Sequence, residues 1–455
     1  MTSHRTFSQL NEILETDPND PAPKSEKPPA LPNRPTEDEL AEVVLFEIGK
    51  DNLIGSHAGT MYWTGQRWES LADEQMRELV RSVLRELSVP VRRSLLMNLA
   101  SLIKDRVFDP RTEFNRSEDH IVSVQNGDLL LMDNKWHLVP AERDRRRTAV
   151  LPHSYDPSAT AQRFMQFLDE IFEDDPDAHE KSTLLLQHAG YALQTHSDLE
   201  RFAIYVGSGA NGKSVFLNAV KHLLGSENIA AVQPHKLNNT FHRASLHQKL
   251  ANVITESEQG AKLPAAEIKA LTSGEAMTVD HKYGTPFIMT PFATLFWATN
   301  YLPHPHDYSD AIHRRVDIVE FNRTFSEQER DINLMRELKT EMPGILNAAL
   351  DAYASVVKTG FETPMSVTKA KNDWRRNADP VACWADERLE RAMLIKVQSQ
   401  TAYVDFTTWA DENGYRLRLT QKTFTERLQN LGFQKVRTKN AKFWQDVRLV
   451  PGVPG

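Results

Sequence analysis

A single cysteine, Cys383, stands in a chain of 455 residues, which excludes an internal disulfide and any zinc site built on two cysteine ligands. Beside Trp384 it reads as a small packed residue rather than a nucleophile. No run approaches the roughly eighteen apolar residues that a membrane span needs. The N-terminal stretch MTSHRTFSQLNEILETDP lacks the basic start and apolar block of a secretory signal. A cytoplasmic protein with no membrane partner is therefore expected. An excess of positive charge is missing too: the net charge of -8 argues against coating nucleic acid indiscriminately. No internal repeat is evident. What is present, 40% hydrophobic residues, suffices for two or three domains with ordinary cores.

The global charge hides an asymmetry. Residues 1–40 hold four Lys or Arg against eight Asp or Glu, net -4, whereas residues 401–455 hold nine against five, net +4, so the C-terminus is the basic end. Seven prolines fall between Pro18 and Pro35 among charges and few apolar residues, and residues 1–36 read as a disordered tail. A mixed α+β domain is expected over 37–160. In it TMYWTGQRWESL and GDLLLMDNKWHLVP each place strand-like runs around a polar turn, and residues 74–105 are helical in pattern. Trp63, Trp68 and Trp136 read as cross-strand packing rather than base-stacking platforms. A helical segment over 161–200 follows, with Phe164, Phe167, Leu168 and Phe172 on one face. Strands and helices alternate through an α/β core at 201–350, helices continue over 351–395, and residues 396–455 read as two helices and a basic two-stranded wing, a winged helix.

The core opens with FAIYVGSGANGKSVFLNAVKHLLG, an apolar strand, a loop fitting G-x-x-x-x-G-K-[ST], and a helix that ends at Gly225. Chance alone would produce those fixed positions in roughly one chain in fifty of this length, so the strand and helix on either side weigh heavily. Gly207, Ser208, Gly209, Ala210, Asn211 and Gly212 are expected to bring backbone N–H groups to phosphate oxygens, aided by the helix N-terminus at Lys213, Ser214 and Val215. Lys213 should reach the β and γ phosphates of ATP, and Ser214 should ligate Mg²⁺. In LANVITESEQG, Glu256 and Glu258 follow a buried strand at an offset of two, on one side of an extended chain. One carboxylate would serve the metal, with Glu256 paired to Ser214 as the candidate, and one the attacking water; the spacing does not divide the roles. TLFWATNYLP ends a third strand at Thr299 and Asn300, where Asn300 could orient water. In DAIHRRVDIVEF, Arg314 or Arg315 fits an arginine that completes a neighbour's site, with an ion pair to Asp310 or Asp317 as the plainer reading. His304 and His306 in LPHPHDY read as a loop rather than a metal site.

In order and spacing, GSGANGKS, ITESEQG, LTSGEAMTVDHKYGTPFIMTP, FWATNYLP and DAIHRRVDIVEF resemble the superfamily 3 helicase module of the phage and plasmid primase-helicase family related to the poxvirus primase-helicase. IVSVQNGDLLL with LPHSYDPSATAQRFMQFLDEIF is similar to the family's pre-helicase domain, and VDFTTWADENGY with KTFTERLQNLGF to its C-terminal winged helix, so the likeness runs over roughly residues 45–450. The resemblance implies an α/β, AAA+-like P-loop ATPase. It would assemble as a homo-hexameric ring in the cytoplasm of a bacterial host and move along single-stranded and forked DNA. It assigns Lys213 and Ser214 to phosphate and Mg²⁺, Glu256 and Glu258 to the acidic strand, Asn300 to a polar sensor and Arg314 or Arg315 to the finger. It also makes GEAMTVDHKYGTPF a channel hairpin with His281, Lys282 and Tyr283 at its tip, a charge and a ring suited to phosphate and base. The acidic strand departs from the family pattern in reading TESE. No acidic constellation for primer synthesis is evident, which leaves room for a separate primase or other replication proteins as partners.

Two further readings compete. A replication initiator would use Lys422, Arg427, Lys435, Arg437, Lys439 and Lys442 to contact an origin while its ATPase governs assembly. A P-loop small-molecule kinase would turn over ATP as a monomer without DNA, and the arginine pair and long flanking domains disfavour it.

Overall fold

The computed structural model describes residues 29, 32 and 34–450, apart from 58, 117–119, 257–261, 281–285, 306–309, 414, 416–418 and 439–440. The expected tail at 1–36 lies almost wholly outside the described residues. Helix α1 (Glu37–Ile48) starts at Thr36, whose hydroxyl accepts the Glu39 N–H while the Glu39 carboxylate accepts the Thr36 N–H. This reciprocal cap satisfies two of the free amides of the first turn. Strands β1 (Leu53–Ser56), β2 (Gly59–Trp63) and β3 (Trp68–Ser70) form an antiparallel sheet. The helical pattern at 74–105 resolves into α2 (Asp73–Glu86) and α3 (Arg93–Val107). Val44, Met76, Val80, Leu99 and Ile103 from the three helices meet in one core. Trp63 and Trp68 face each other across strands at 5.8 Å, and Trp68 donates to the Arg143 carbonyl at 3.0 Å, so these rings pack rather than present themselves.

Strands β4 (Ile121–Val124), β5 (Gly127–Met132) and β6 (Lys135–Val139) form a second antiparallel sheet. Asp133 and Asn134, at φ +50° and +62°, make the two-residue turn that joins Met132 to Lys135. Helices α4 (Gln162–Ile171) and α5 (Ala178–Tyr191) then bury Phe164, Phe167, Leu168 and Phe172 against the central domain.

The centre is a five-stranded parallel sheet. It contains β7 (Phe202–Val206), followed by helix α6 (Lys213–Leu224), then β8 (Ile229–Ala230), helix α7 (Thr240–Ala244) and β9 (Ala251–Ile254). The short β10 (Lys262–Leu263), helix α8 (Ala265–Thr272), and the antiparallel pair β11 (Met277–Val279) and β12 (Phe287–Met289) precede β13 (Thr294–Thr299). The two-residue β14 (His304–Pro305) pairs in parallel with β10, so His304 sits in a strand where a loop was expected; His306 lies outside the described residues. Helix α9 (Asp310–Arg315) leads directly into β15 (Val316–Glu320). The sheet order is β15-β7-β13-β9-β8, with every pairing parallel. Strands β9 and β13 are buried along their whole length, which explains why their sequences run apolar without alternation. Successive residues enter opposite faces: Ala203, Tyr205 and Phe296 face the layer holding α6, whereas Phe202, Ile204 and Trp297 face the layer holding α8.

Helices α10 (Leu334–Thr340), α11 (Met342–Thr359) and α12 (Met365–Ala378) follow, α11 packing on α5 and α12 on β15. Helix α13 (Pro380–Arg388) then joins β16 (Leu389–Gln398), α14 (Ser399–Glu412), α15 (Gln421–Asn430), β17 (Lys435–Arg437) and β18 (Lys442–Leu449). The last three strands form an antiparallel sheet in the order β16-β18-β17. Trp384, Val397, Phe406, Phe424 and Trp444 share its core. A strand at 389–398 replaces the helix expected to run to about 395. Its pairing with β18 slips between Arg391 and Lys396, and Leu394 takes φ +67° with its N–H on Asp446 at 2.9 Å. This bulge breaks the two-residue alternation by which a strand is read.

Candidate active site

Strand β7 stops at Val206 because the next residues cannot continue a ladder. Gly209 and Gly212 take φ +112° and +88°, conformations that cost a glycine little. At Gly207 the constraint is space: a Cβ there would lie 2.2 Å from Asn211 Nδ2 and 2.7 Å from the Phe321 carbonyl oxygen. At Gly212 it would lie 2.4 Å from Ile171 Cγ2, so the loop is pressed against helix α4. Gly209, by contrast, has no neighbouring atom within 4 Å of such a Cβ. Behind the loop, the Phe321 N–H donates to the Val206 carbonyl at 2.8 Å and the Phe325 N–H to the Ala210 carbonyl at 2.8 Å. The exit of β15 thus holds the loop in place.

The Lys213 ammonium is largely buried and donates to the Gly207 carbonyl at 2.6 Å and to Asn211 Oδ1 at 2.9 Å. Burial pushes its pKa below the ordinary lysine value. Asn211 in turn donates to the Phe321 carbonyl at 3.3 Å. These contacts turn a cation and a carboxamide onto their own loop, where an anionic ligand would offer stronger acceptors.

A cleft of about 460 Å³ opens at the carboxyl ends of the strands, lined by residues 209–215, Thr255, Glu256, Thr299 and Asn300. Open parallel sheets bind ligands at this end, where neighbouring strands diverge to opposite sides. The structure therefore gathers Gly209, Ala210, Asn211, Gly212, Lys213, Ser214, Val215, Glu256 and Asn300 at one place. Gly207 and Ser208 belong to the same loop but do not line the cleft. Glu256 is exposed, and its carbonyl accepts from Gln233 Nε2 at 3.3 Å. Thr299 ties β13 to the loop through its carbonyl, which accepts the Gly207 N–H at 3.3 Å, and its hydroxyl donates to the Tyr301 carbonyl at 2.7 Å. Thr255 is a lining residue that sequence reasoning missed; its only signal is its position as the first residue beyond β9. Glu258 lies outside the described residues.

Arg314 and Arg315 sit elsewhere. They end α9 at the amino end of β15, whose first residue, Val316, pairs with Phe202. Arg315 is buried; it donates to Glu200 Oε1 at 2.7 Å, to Ser273 Oγ at 2.8 Å and to the Ala311 carbonyl at 3.0 Å. Arg314 has two thirds of its side chain exposed and approaches Glu200 Oε2 at 3.4 Å. Glu200 is an acidic partner of both, whereas Asp317 of the plainer sequence reading pairs with His188, Arg201 and Lys371; the side chain of Asp310 lies outside the description, and the sequence carries no local signal for Glu200.

Strands β11 and β12 of the expected hairpin pair antiparallel, with Val279 opposite Phe287, but His281, Lys282 and Tyr283 lie outside the described residues. Of the C-terminal basic residues, Arg437 and Lys442 are exposed cross-strand partners, and Lys422 is exposed on α15, 4.0 Å from Glu426. Arg427 donates to Asp379 at 3.4 Å. Lys435 donates to Thr425 Oγ1 at 2.9 Å and lies 5.2 Å from the centre of the Trp444 ring. Lys439 lies outside the described residues.

A family model described as D5 N terminal like matches residues 41–173, and one described as poxvirus D5 protein-like matches residues 376–447. These two matches support a likeness to the D5-like superfamily 3 helicase family. Between the two D5 matches, residues 205–315 fit a family of unknown function, DUF5906, and this interval holds the glycine loop, Glu256, Asn300 and both arginines. A protein of Acanthamoeba polyphaga mimivirus that carries the name helicase L207/L206 is 22% identical over 273 residues. The match takes in 54% of this D5-like chain and 28% of that relative, so the chain spans little more than a quarter of the relative's length. Among solved structures, the A form of the apo NrS-1 C-terminal region covers 73% of this chain and 96% of its own at 12% identity and a TM-score of 0.42. A second apo structure of that region, residues 305–718, gives 72%, 96%, 11% and 0.40. These structural likenesses are coarse, and no residue role rests on them. No helix among the described residues of the D5-like chain is long and apolar enough to cross a membrane.

Proposed function

We propose that the chain is an ATP-dependent DNA helicase that translocates on single-stranded DNA and unwinds duplex during replication of a phage, satellite or plasmid. The observation that carries this reading is the cleft at the carboxyl ends of the parallel strands, where a glycine loop, a lysine, a glutamate and an asparagine converge from three strand ends. The open backbone at Gly209 and the Lys213 ammonium, held by neutral oxygens of its own loop, fit a triphosphate. On binding, Lys213 would exchange the Gly207 and Asn211 oxygens for phosphate oxygens. The Ser214 hydroxyl, exposed in the first turn of α6, and the Glu256 carboxylate would hold Mg²⁺. The ion would neutralise charge on the β and γ phosphates. Glu256 and Glu258 share the metal-side and water-side roles, and Asn300 orients the water.

The C-terminal domain reads as a winged helix, with Lys422, Arg437, Lys439 and Lys442 as DNA contacts; Arg427 and Lys435, which have protein partners, serve mainly to hold its shape. His281, Lys282 and Tyr283 would grip DNA in the channel of a homo-hexamer, on single-stranded or forked DNA, with a separate primase or other replication proteins as partners. An origin-binding initiator uses the same basic hairpin on duplex DNA. ATP turnover measured with and without single-stranded DNA, beside unwinding of a fork and the mass in ATP, separates the two. Stimulated turnover, unwinding and a ring-sized mass support the helicase. DNA-indifferent turnover with duplex binding alone supports the initiator.

A further inference from the structure

Three consecutive residues of β16, Met393, Leu394 and Ile395, carry large apolar side chains into solvent, the first two 87% and 90% exposed. The other exposed large apolar residues among those described stand singly along the chain. Single ones need no explanation, whereas a contiguous group costs solubility and calls for one.

The ladder shows how the group is presented. Arg391 pairs with Val447 and Lys396 with Gln445, so the four residues 392–395 stand opposite Asp446 alone. A bulge that only bends a strand inserts one extra residue. Strand β16 lies at an edge of its sheet, and edges are ordinarily kept from pairing by charged residues or proline. An apolar tip does the opposite, so edge protection does not account for it. The tip is also held in shape. The Leu394 N–H donates to Asp446 Oδ1 at 2.9 Å, and Leu394 and Asp446 take φ +67° and +54°. That conformation is uncommon for a leucine and persists only where the surroundings impose it.

The charges around the tip indicate what it meets. Arg391 and Lys396 flank it and are exposed, and the Arg391 guanidinium lies 4.1 Å from the centre of the Phe433 ring. The neighbouring acids are engaged: Glu390 pairs with Arg448 at 2.5 Å, and Asp446 accepts the Leu394 N–H. A rim of cations fits an anionic partner. Methionine, leucine and isoleucine have no ring on which single-stranded bases could stack. Aliphatic side chains suit a different contact with nucleic acid, insertion between two stacked base pairs.

We infer that residues 392–395 form a wedge for duplex DNA: Met393 and Leu394 enter a base step and kink it, Arg391 and Lys396 meet the phosphates on either side, and Asp446 is a positioning residue for the tip. This rests on the reading of the C-terminal domain as a DNA-contacting winged helix and deepens it. The basic residues hold the duplex, and the wedge deforms it.

The test uses the full chain and a short duplex with a donor and an acceptor dye at its two ends, read by energy transfer beside binding titrated against salt. The wild type should draw the ends together through a kink of about 20–90°. Met393→Ser combined with Leu394→Ser should bind about tenfold more weakly, the scale of two apolar side chains less the unstacking they offset. It should leave the duplex straight and keep the wild-type salt slope, because no cation is lost. Both side chains are exposed, so the melting temperature should stay at the wild-type value. Asp446→Ala should reduce the kink, whereas Asp446→Asn should retain it, because the amide oxygen still accepts the Leu394 N–H and asparagine tolerates the left-handed backbone. Equal kinks in these two variants would overturn the positioning role. A straight duplex in the wild-type complex, or a full kink in the double serine variant, would overturn the wedge while leaving the DNA-contact reading intact. A full kink in that variant with a lower mass in ATP than the wild type would make the tip a contact between copies of the chain instead. Absence of salt-dependent duplex binding in the wild type would remove the DNA-contact reading itself.

Discussion

At the carboxyl end of the parallel sheet the polar groups face a cleft; at the amino end they face one another. Ser214, Glu256 and Asn300 are exposed around an open backbone at Gly209. At the other end Asp317 is buried between His188 at 3.2 Å, Arg201 at 3.0 Å and Lys371 at 3.8 Å, and Glu200 is shared by two arginines. The same sheet therefore supplies an end whose polar groups are exposed to a cleft and an end whose charges are compensated inside the chain. Substitutions at the first should remove function and spare the fold; substitutions at the second should do the reverse, with the exposed Arg314 as the exception.

The largest expected effect is at the open end. Lys213→Ala should abolish ATP turnover while the far-ultraviolet circular dichroism and the melting temperature stay close to wild type. Loss of fold would mean that the lysine's two loop hydrogen bonds matter more for structure than for a ligand. At the closed end, Asp317→Asn should cost about 3–5 kcal/mol in denaturant unfolding, because it leaves buried cations uncompensated. Acid should report on the same group. Burial alone would raise the Asp317 pKa, but the hydrogen bond from His188 and the charges of Arg201 and Lys371 hold it below the ordinary value. Its stabilising contribution is thus complete above the unfolded value near about 3.9, and it is lost as pH falls through the lower folded value. The acid limb of the stability curve should flatten in Asp317→Asn; an unchanged limb would place the acid sensitivity elsewhere.

The C-terminal basic residues give a smaller version of the same contrast. Replacing both Arg437 and Lys442 by Ala should weaken DNA binding and reduce the salt slope by about 2, one for each cation removed from a phosphate, with stability unchanged. Lys435→Ala should instead lower the stability of this domain by about 1 kcal/mol, because the ammonium no longer sits over the Trp444 ring. A salt slope that moves with Lys435 and not with Arg437 would reverse the assignment.

What the sequence revealed and what it hid follow from the range of the interactions. The glycine loop, Lys213 and Ser214 were legible because their roles depend on eight consecutive residues and the elements on either side. The β5–β6 turn was legible for the same reason. Thr255 carries no chemical signature and lines the cleft only because β9 ends there. Glu200 meets Arg315 across 115 positions, a pairing that exists only once α9 has packed beside the start of β7. The bulged strand at 389–398 breaks its periodicity at Leu394, and Arg427 and Lys435 read as free cations because Asp379 and Trp444 approach them only through the tertiary fold.

If the cleft at Lys213 hydrolyses ATP to drive movement on DNA, turnover and unwinding must fail together. The most direct test is ATP turnover by the wild type and Lys213→Ala, with and without single-stranded DNA, beside unwinding of a forked duplex. The expected result is turnover that rises with single-stranded DNA, unwinding that requires ATP, and neither in the variant. Turnover indifferent to DNA with no unwinding, or turnover that persists without the lysine, would contradict the helicase reading.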